Sequence, residues 1–167
     1  MQRFPAAADR RPDARRGGFS LIELLMAVTI VGLLAGMAIP NLRSMTWRAR
    51  ATEVAADLEV VRVATLSYNG DVFQWPAEVS SGTVPSELSA GAEPYLPAGF
   101  SFQGNGYELD YDFLSPIVIP GEPGTNQLIA VAVELDTDEL SNAVLQLLGG
   151  SIVFSLGRRH TVIIDRN

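Results

Sequence analysis

The sequence predicts an α+β protein: one long N-terminal helix, half membrane-type and half amphipathic, packed on a mainly antiparallel sheet. Three observations carry this. From Phe19 to Ile39 the chain reads FSLIELLMAVTIVGLLAGMAI, 21 residues with a single charge, Glu23. Beyond Pro40, apolar residues recur at three-to-four spacing: Trp47, Ala51, Val54, Leu58, Val61 and Tyr68, with Thr65 filling one step. Further on, Tyr107, Leu109, Tyr111 and Phe113 alternate with Glu108, Asp110 and Asp112, the period of a half-buried strand.

The apolar run is long enough to cross a bilayer core as a helix. Arg10, Arg11, Arg15 and Arg16 precede it and Arg43, Arg48 and Arg50 follow it. Counts alone do not orient it, but Arg15-Arg16 abut the run and favour a cytoplasmic N-terminus. An ordinary secretory signal has a shorter apolar core and a cleavage site at its far end. A plain signal anchor explains the length but gives no reason for Glu23. A carboxylate inside the membrane costs about 2.5–3.5 kcal/mol on insertion scales and needs a partner. Cutting the chain between Gly18 and Phe19 supplies one. The new α-amine of Phe19 lies one helical turn from Glu23, and such a pair is far stronger in a low dielectric than in water.

The ordered run Arg15-Arg16-Gly17-Gly18-Phe19-Ser20-Leu21-Ile22-Glu23-Leu24 resembles the N-terminal signal of type IV prepilins and type II secretion pseudopilins. The resemblance is firm over about residues 15–70 and architectural beyond. It implies a leader at residues 1–18, a transmembrane and filament-core helix at 19–40, and an amphipathic helix with a pilin-like head at 41–167. It implies cleavage after Gly18 by a prepilin peptidase and N-methylation of Phe19. Glu23 then pairs with the N-terminus of a neighbouring subunit. The implied partners are the peptidase, other pilin or pseudopilin subunits, an inner-membrane assembly platform, and lipid before assembly. The implied place is the bacterial inner membrane, with the head in the periplasm or outside, and then the pilus or pseudopilus. The leader is longer than many in the family and contains Pro5 and Pro12. Gly32 and Gly36 form a small-xxx-small pattern that allows close helix approach in lipid. Pro40 lacks a backbone donor and is expected to kink or locally break the helix. The resemblance places Gly32 and Pro40 where family members lose helical order in the filament.

The helix is expected to span residues 19–69, about 75 Å at 1.5 Å per residue, and to stop at Asn69-Gly70. Residues 71–98 read as irregular, anchored by Trp75-Pro76, with a helical turn at Pro85-Ser86-Glu87-Leu88. Phe100 and Phe102 begin a strand, Gly104-Asn105-Gly106 turns it, and Tyr107–Phe113 returns with an acidic, solvated outer face. Residues 117–119 are apolar between Pro116 and Pro120, residues 121–126 form a loop, and Leu128–Leu135 is a strand. Asp136 and Glu139 have capping-box spacing for a short helix, whose apolar face is Leu140, Val144, Leu147 and Leu148 and whose stop is Gly149-Gly150. Strands Ser151–Leu156 and Thr161–Asp165 flank Gly157-Arg158-Arg159-His160, which places the single histidine in an exposed turn.

All twelve basic residues are arginine, and cysteine is absent. Neither disulfides nor thiolate metal sites are available. Removing the first 18 residues leaves seven Arg against seventeen acids, moving the formal charge from −7 to −10. That balance opposes binding to a phosphate backbone. No nucleophile motif, zinc-spaced histidine pair or phosphate-binding glycine loop is present, so the chain is not expected to be an enzyme. No cofactor is expected, although Asp110, Asp112, Asp136 and Asp138 offer the oxygen ligands that calcium prefers. Two alternatives stand beside a filament subunit. One is a minor subunit of a DNA-uptake pilus, supported only by Arg158-Arg159-His160. The other is a signal-anchored protein that never polymerises.

Overall fold

The computed structural model describes residues 18–91, 93–117, 126–152 and 154–166. The basic leader up to residue 17 and the expected loop at 121–126, except Asn126, lie outside the described residues, as do residues 118 and 119 of the apolar 117–119 stretch and the proline at 120. Helix α1 runs over Leu21–Val72, 52 residues. The chain divides into two compact units, one ending at Asn41 and the other beginning at Leu42.

In the first unit α1 is apolar on every side and passes through Pro40 without interruption. The expected break is therefore not seen. Proline removes one amide donor, the one that would bond the carbonyl of Gly36 four residues back, and a single missing bond leaves the rest of the helical ladder in place.

In the second unit α1 buries Ala51, Val54, Leu58, Val61, Ala64 and Thr65. Trp47 and Tyr68, at the ends of the predicted stripe, are only partly buried. The helix passes Asn69-Gly70 and ends at Val72. Its left-handed cap is Phe73, with φ 57°, whose N–H donates to the Asn69 carbonyl at 2.8 Å. The sequence assigned this role to glycine; here Gly70 stays helical and an aromatic residue takes the cap. Helix α2, Ser86–Ser89, follows Pro85 as expected and buries Leu88 completely.

Five strands among the described residues form one antiparallel sheet: β1 Gln103–Gly104, β2 Tyr107–Ile117, β3 Asn126–Leu135, β4 Phe154–Leu156 and β5 Arg159–Arg166. Their order is β1-β2-β3-β5-β4. The first strand is shorter than predicted, because Phe100 is held in a turn by its N–H to the Pro97 carbonyl at 3.0 Å. Phe102 is nevertheless fully buried, and its carbonyl accepts from Leu109 N–H at 2.7 Å. The β1–β2 turn requires glycine at Gly104, where an added Cβ would sit 2.1 Å from the Tyr107 ring.

Register decides which side chains reach the helix. Tyr111 pairs with Val131, and Val131 with Val162, so one row crosses three strands on the inner face. Leu109, Tyr111, Ile129, Val131 and Val133 are fully buried in one core with the α1 stripe. Each such side chain contributes about 1.5–3 kcal/mol by leaving water. The Tyr107 hydroxyl ties the sheet to Asp57 of α1, and the Tyr111 hydroxyl donates to the Pro76 carbonyl at 3.3 Å. This is the α+β, pilin-like arrangement the sequence predicts.

Helix α3, Asp138–Leu148, starts one residue later than the Asp136–Glu139 box implies. Thr137 is its N-cap, its hydroxyl accepting from Leu140 N–H at 3.4 Å. Asp136 is held instead by its N–H to the Gly106 carbonyl in the β1–β2 turn. At the far end, the N–H groups of Ser151 and Ile152 return to the Leu148 carbonyl, so these two residues are not in the strand, and the described part of β4 is Phe154–Leu156.

The largest departure is His160. It is fully buried on β5, not exposed in a turn. Its Nε2 lies 2.8 Å from the Ser141 hydroxyl of α3 and its Nδ1 2.8 Å from the Ser155 hydroxyl of β4. Burial lowers its pKa from the usual histidine value, so charging it opposes folding. Its contribution is complete above about pH 6.5 and is lost as pH falls toward the lower folded value. A fragment beginning at Arg43 should therefore unfold in one cooperative thermal transition, and its midpoint should drop between pH 7 and pH 5. Persistent aggregation or a flat melt would contradict an independently folded second unit.

Candidate cleavage and assembly segment

Gly18 and Phe19 precede the first turn of α1, and Phe19 is 83% exposed. The helix is entered at Ser20, whose carbonyl accepts from Leu24 N–H at 3.1 Å. Glu23 lies in the first turn, where a carboxylate meets the unpaired amides and positive end of the helix dipole. One turn separates it from Phe19, so a free amine there would have a counter-charge within reach.

Every large apolar side chain from Phe19 to Ile39 is at least half exposed. Phe19, Leu21, Leu24, Leu25 and Val28 line a shallow, open apolar depression near the start of the helix. An apolar surface of this extent requires lipid or other helices around it. Its interior polar side chain is internally satisfied: the Thr29 hydroxyl donates to the Leu25 carbonyl at 2.5 Å and lies 3.1 Å from that of Met26. The helix is long and apolar enough to cross a membrane.

Gly32, Gly36 and Pro40 follow one another at four-residue spacing on one stripe. An added Cβ at Gly32 or Gly36 would meet nothing within 4 Å, so both glycines present bare backbone to whatever packs there. At about 100° per residue Glu23 falls on roughly the opposite side from Gly32. Glu23 and the glycine pair thus lie on different faces of α1, and the fold does not bring the predicted site residues together.

The acids offered as calcium ligands are placed otherwise. Asp110 is buried, not solvated, and Asp112 is partly covered. Arg159 Nη2 lies 2.6 Å from Asp110 and 3.1 Å from Asp112, reaching across β3 beside the small side chain of Ala132. Burial, then the neighbouring Asp110 charge, raises the Asp112 pKa, and Arg159 offsets part of this. Asp136 offers its carbonyl to Arg158, and Asp138 opens α3. Among the described residues no three His, Cys, Asp or Glu side chains group as a metal site. Sequence reasoning missed the Arg159 bridge and the His160 burial. Extending the alternation of β5 back two residues, to put His160 in phase with Val162 and Ile164, would have indicated the second.

Residues 13–39 match the family described as the prokaryotic N-terminal methylation motif. Among curated proteins, a fimbrial protein of Neisseria meningitidis serogroup A is 36% identical over 69 residues, 41% of each chain. The type II secretion system core protein G of Pseudomonas aeruginosa is 32% identical over 38% of this chain and 44% of its own. The chain thus spans under half the length of these two relatives. The core protein G of Escherichia coli is 27% identical over 139 residues, 80% of this chain and 94% of its own. No solved structure gives a significant match. Residues 13–39 thus carry the prokaryotic N-terminal methylation motif, and the chain is similar to type IV pilins and to type II secretion pseudopilins.

Proposed function

We propose that the chain is the precursor of a structural subunit of a type IV pilus or type II secretion pseudopilus. A prepilin peptidase cuts between Gly18 and Phe19 and Phe19 is N-methylated. The mature chain waits in the inner membrane, head outward, until an assembly platform moves it into a filament of like subunits. Glu23 then pairs with a neighbour's N-terminus, and Gly32, Gly36 and Pro40 shape the helix packing. One observation carries this reading: a lone carboxylate sits one turn into a helix that is otherwise apolar all round, directly after the Gly18-Phe19 junction. A membrane anchor alone has no use for that charge.

The nucleic-acid alternative loses its support, because His160 is buried, Arg159 holds Asp110 and Asp112, and Arg158 donates to the Asp136 carbonyl.

N-terminal sequencing and intact mass of the membrane-extracted protein test the proposal. The expected mature chain starts at a methylated Phe19. Gly18→Ala should largely preserve cleavage, and a bulky or charged residue there should block it. A mature chain starting elsewhere would count decisively against the reading.

A further inference from the structure

Charge is segregated along the second unit. Residues 42–52, LRSMTWRARAT, carry Arg43, Arg48 and Arg50 and no acid, whereas residues 53–167 hold sixteen acids against four arginines. The three arginine side chains are exposed. Among the described residues no carboxylate pairs with any of them, despite the acid surplus of the unit. Arg43, Trp47 and Arg50 repeat at helical spacing and share one face of α1. The Arg50 guanidinium lies over the half-buried Trp47 ring, 5.1 Å from its centroid.

In sequence, Arg43 comes four residues after Ile39, where an apolar run of bilayer length ends. Tryptophan and arginine are side chains suited to the headgroup layer, with an apolar body and a polar end. Guanidinium matches phosphate oxygens geometrically and desolvates more readily than an ammonium. Basic residues next to a span are attracted to anionic lipid within about one Debye length, about 8–10 Å.

We propose that Arg43, Arg48 and Arg50, with Trp47, form a collar that binds the phosphate groups of anionic phospholipids and holds the unassembled chain against an anionic bilayer surface. The proposal rests on residues 19–39 spanning the membrane. The collar follows that run directly, which favours lipid over the acidic surface of a second copy as its occupant.

The test uses the full chain in nanodiscs, with Trp75→Phe so that Trp47 is the single indole. Quenching by a headgroup spin label is compared in phosphatidylcholine alone and with about 30% phosphatidylglycerol. The expected result is about twofold stronger quenching with the anionic lipid, removed by about 0.5 M salt. Arg43→Gln with Arg48→Gln should also remove it, while leaving the Arg50–Trp47 contact in place. Equal quenching in the two lipids, or a double variant like the parent, would overturn the collar alone. Quenching that follows protein density rather than anionic lipid would overturn it in favour of contact between copies. Failure of the chain to enter nanodiscs would overturn the membrane span and the collar with it.

Discussion

Glu23→Ala should leave membrane insertion intact or improved and cleavage after Gly18 largely unchanged, yet lower filament incorporation by about 10². The insertion gain follows from removing a carboxylate that costs about 2.5–3.5 kcal/mol in the membrane. The assembly loss has the same origin with the sign reversed. When helices pack side by side, the Phe19 amine of one subunit is removed from water, and without Glu23 nothing compensates it. A deficit of about 2.5–3.5 kcal/mol corresponds to about two orders of magnitude in the partition between membrane and filament. In the proposed filament the pair would also set the axial offset of neighbours, because a shifted register leaves two charges alone in hydrocarbon. Crosslinking between subunits at matched expression measures this, with the mature variant expected in the inner membrane. Unchanged crosslinking would move the assembly determinant to the apolar face around Gly32 and Gly36.

Arg159→Met should destabilise the second unit by about 2–3 kcal/mol. Breaking a buried ion pair by removing one partner costs about 3–5 kcal/mol. The lower figure applies because the Arg159 side chain remains 32% exposed, against 12% and 20% for Asp110 and Asp112. Without the guanidinium, two covered carboxylates face each other, and the folded state gains affinity for protons. The Asp112 pKa, already raised by burial and by the Asp110 charge, then loses the offset from Arg159, so the penalty is largest at neutral pH and fades on acidification. Adding Asp110→Asn and Asp112→Asn to Arg159→Met should recover much of the loss, a non-additivity expected for groups in direct contact. Thermal melts of the Arg43 fragment at several pH values supply the measurement. A gap that widens on acidification would show that the acids are not what Arg159 holds.

Periodicity made the scaffold legible. The stripe from Ala51 to Thr65 and the alternation from Tyr107 to Phe113 appear in the structure as the two sides of one core. Short-range capping was read less accurately. Asp136 and Thr137 are both good N-caps by chemistry, and the choice fell to Thr137 because a turn 30 residues earlier in sequence, at Gly106, holds the Asp136 amide. Likewise Gly70 was a sound helix stop locally, yet packing carries α1 on to Phe73.

The sequence by itself determined the long N-terminal helix and its apolar run. Glu23 and the apolar residues lie along that helix and Gly18-Phe19 directly before it, so their order is read without any contact from elsewhere in the chain. Tertiary structure alone decided the fate of the polar residues in the head. Asp110 and Asp112 read as a solvated face until strand order placed Arg159 two strands away, across Ala132. His160 read as a turn residue until β5 began at Arg159 and turned the ring inward between Ser141 and Ser155. Helical and membrane signals are local and additive along the chain. A polar side chain's environment depends on partners distant in sequence, Asp110 and Arg159 being 49 residues apart, and spacing within one strand does not specify which partner the sheet will supply.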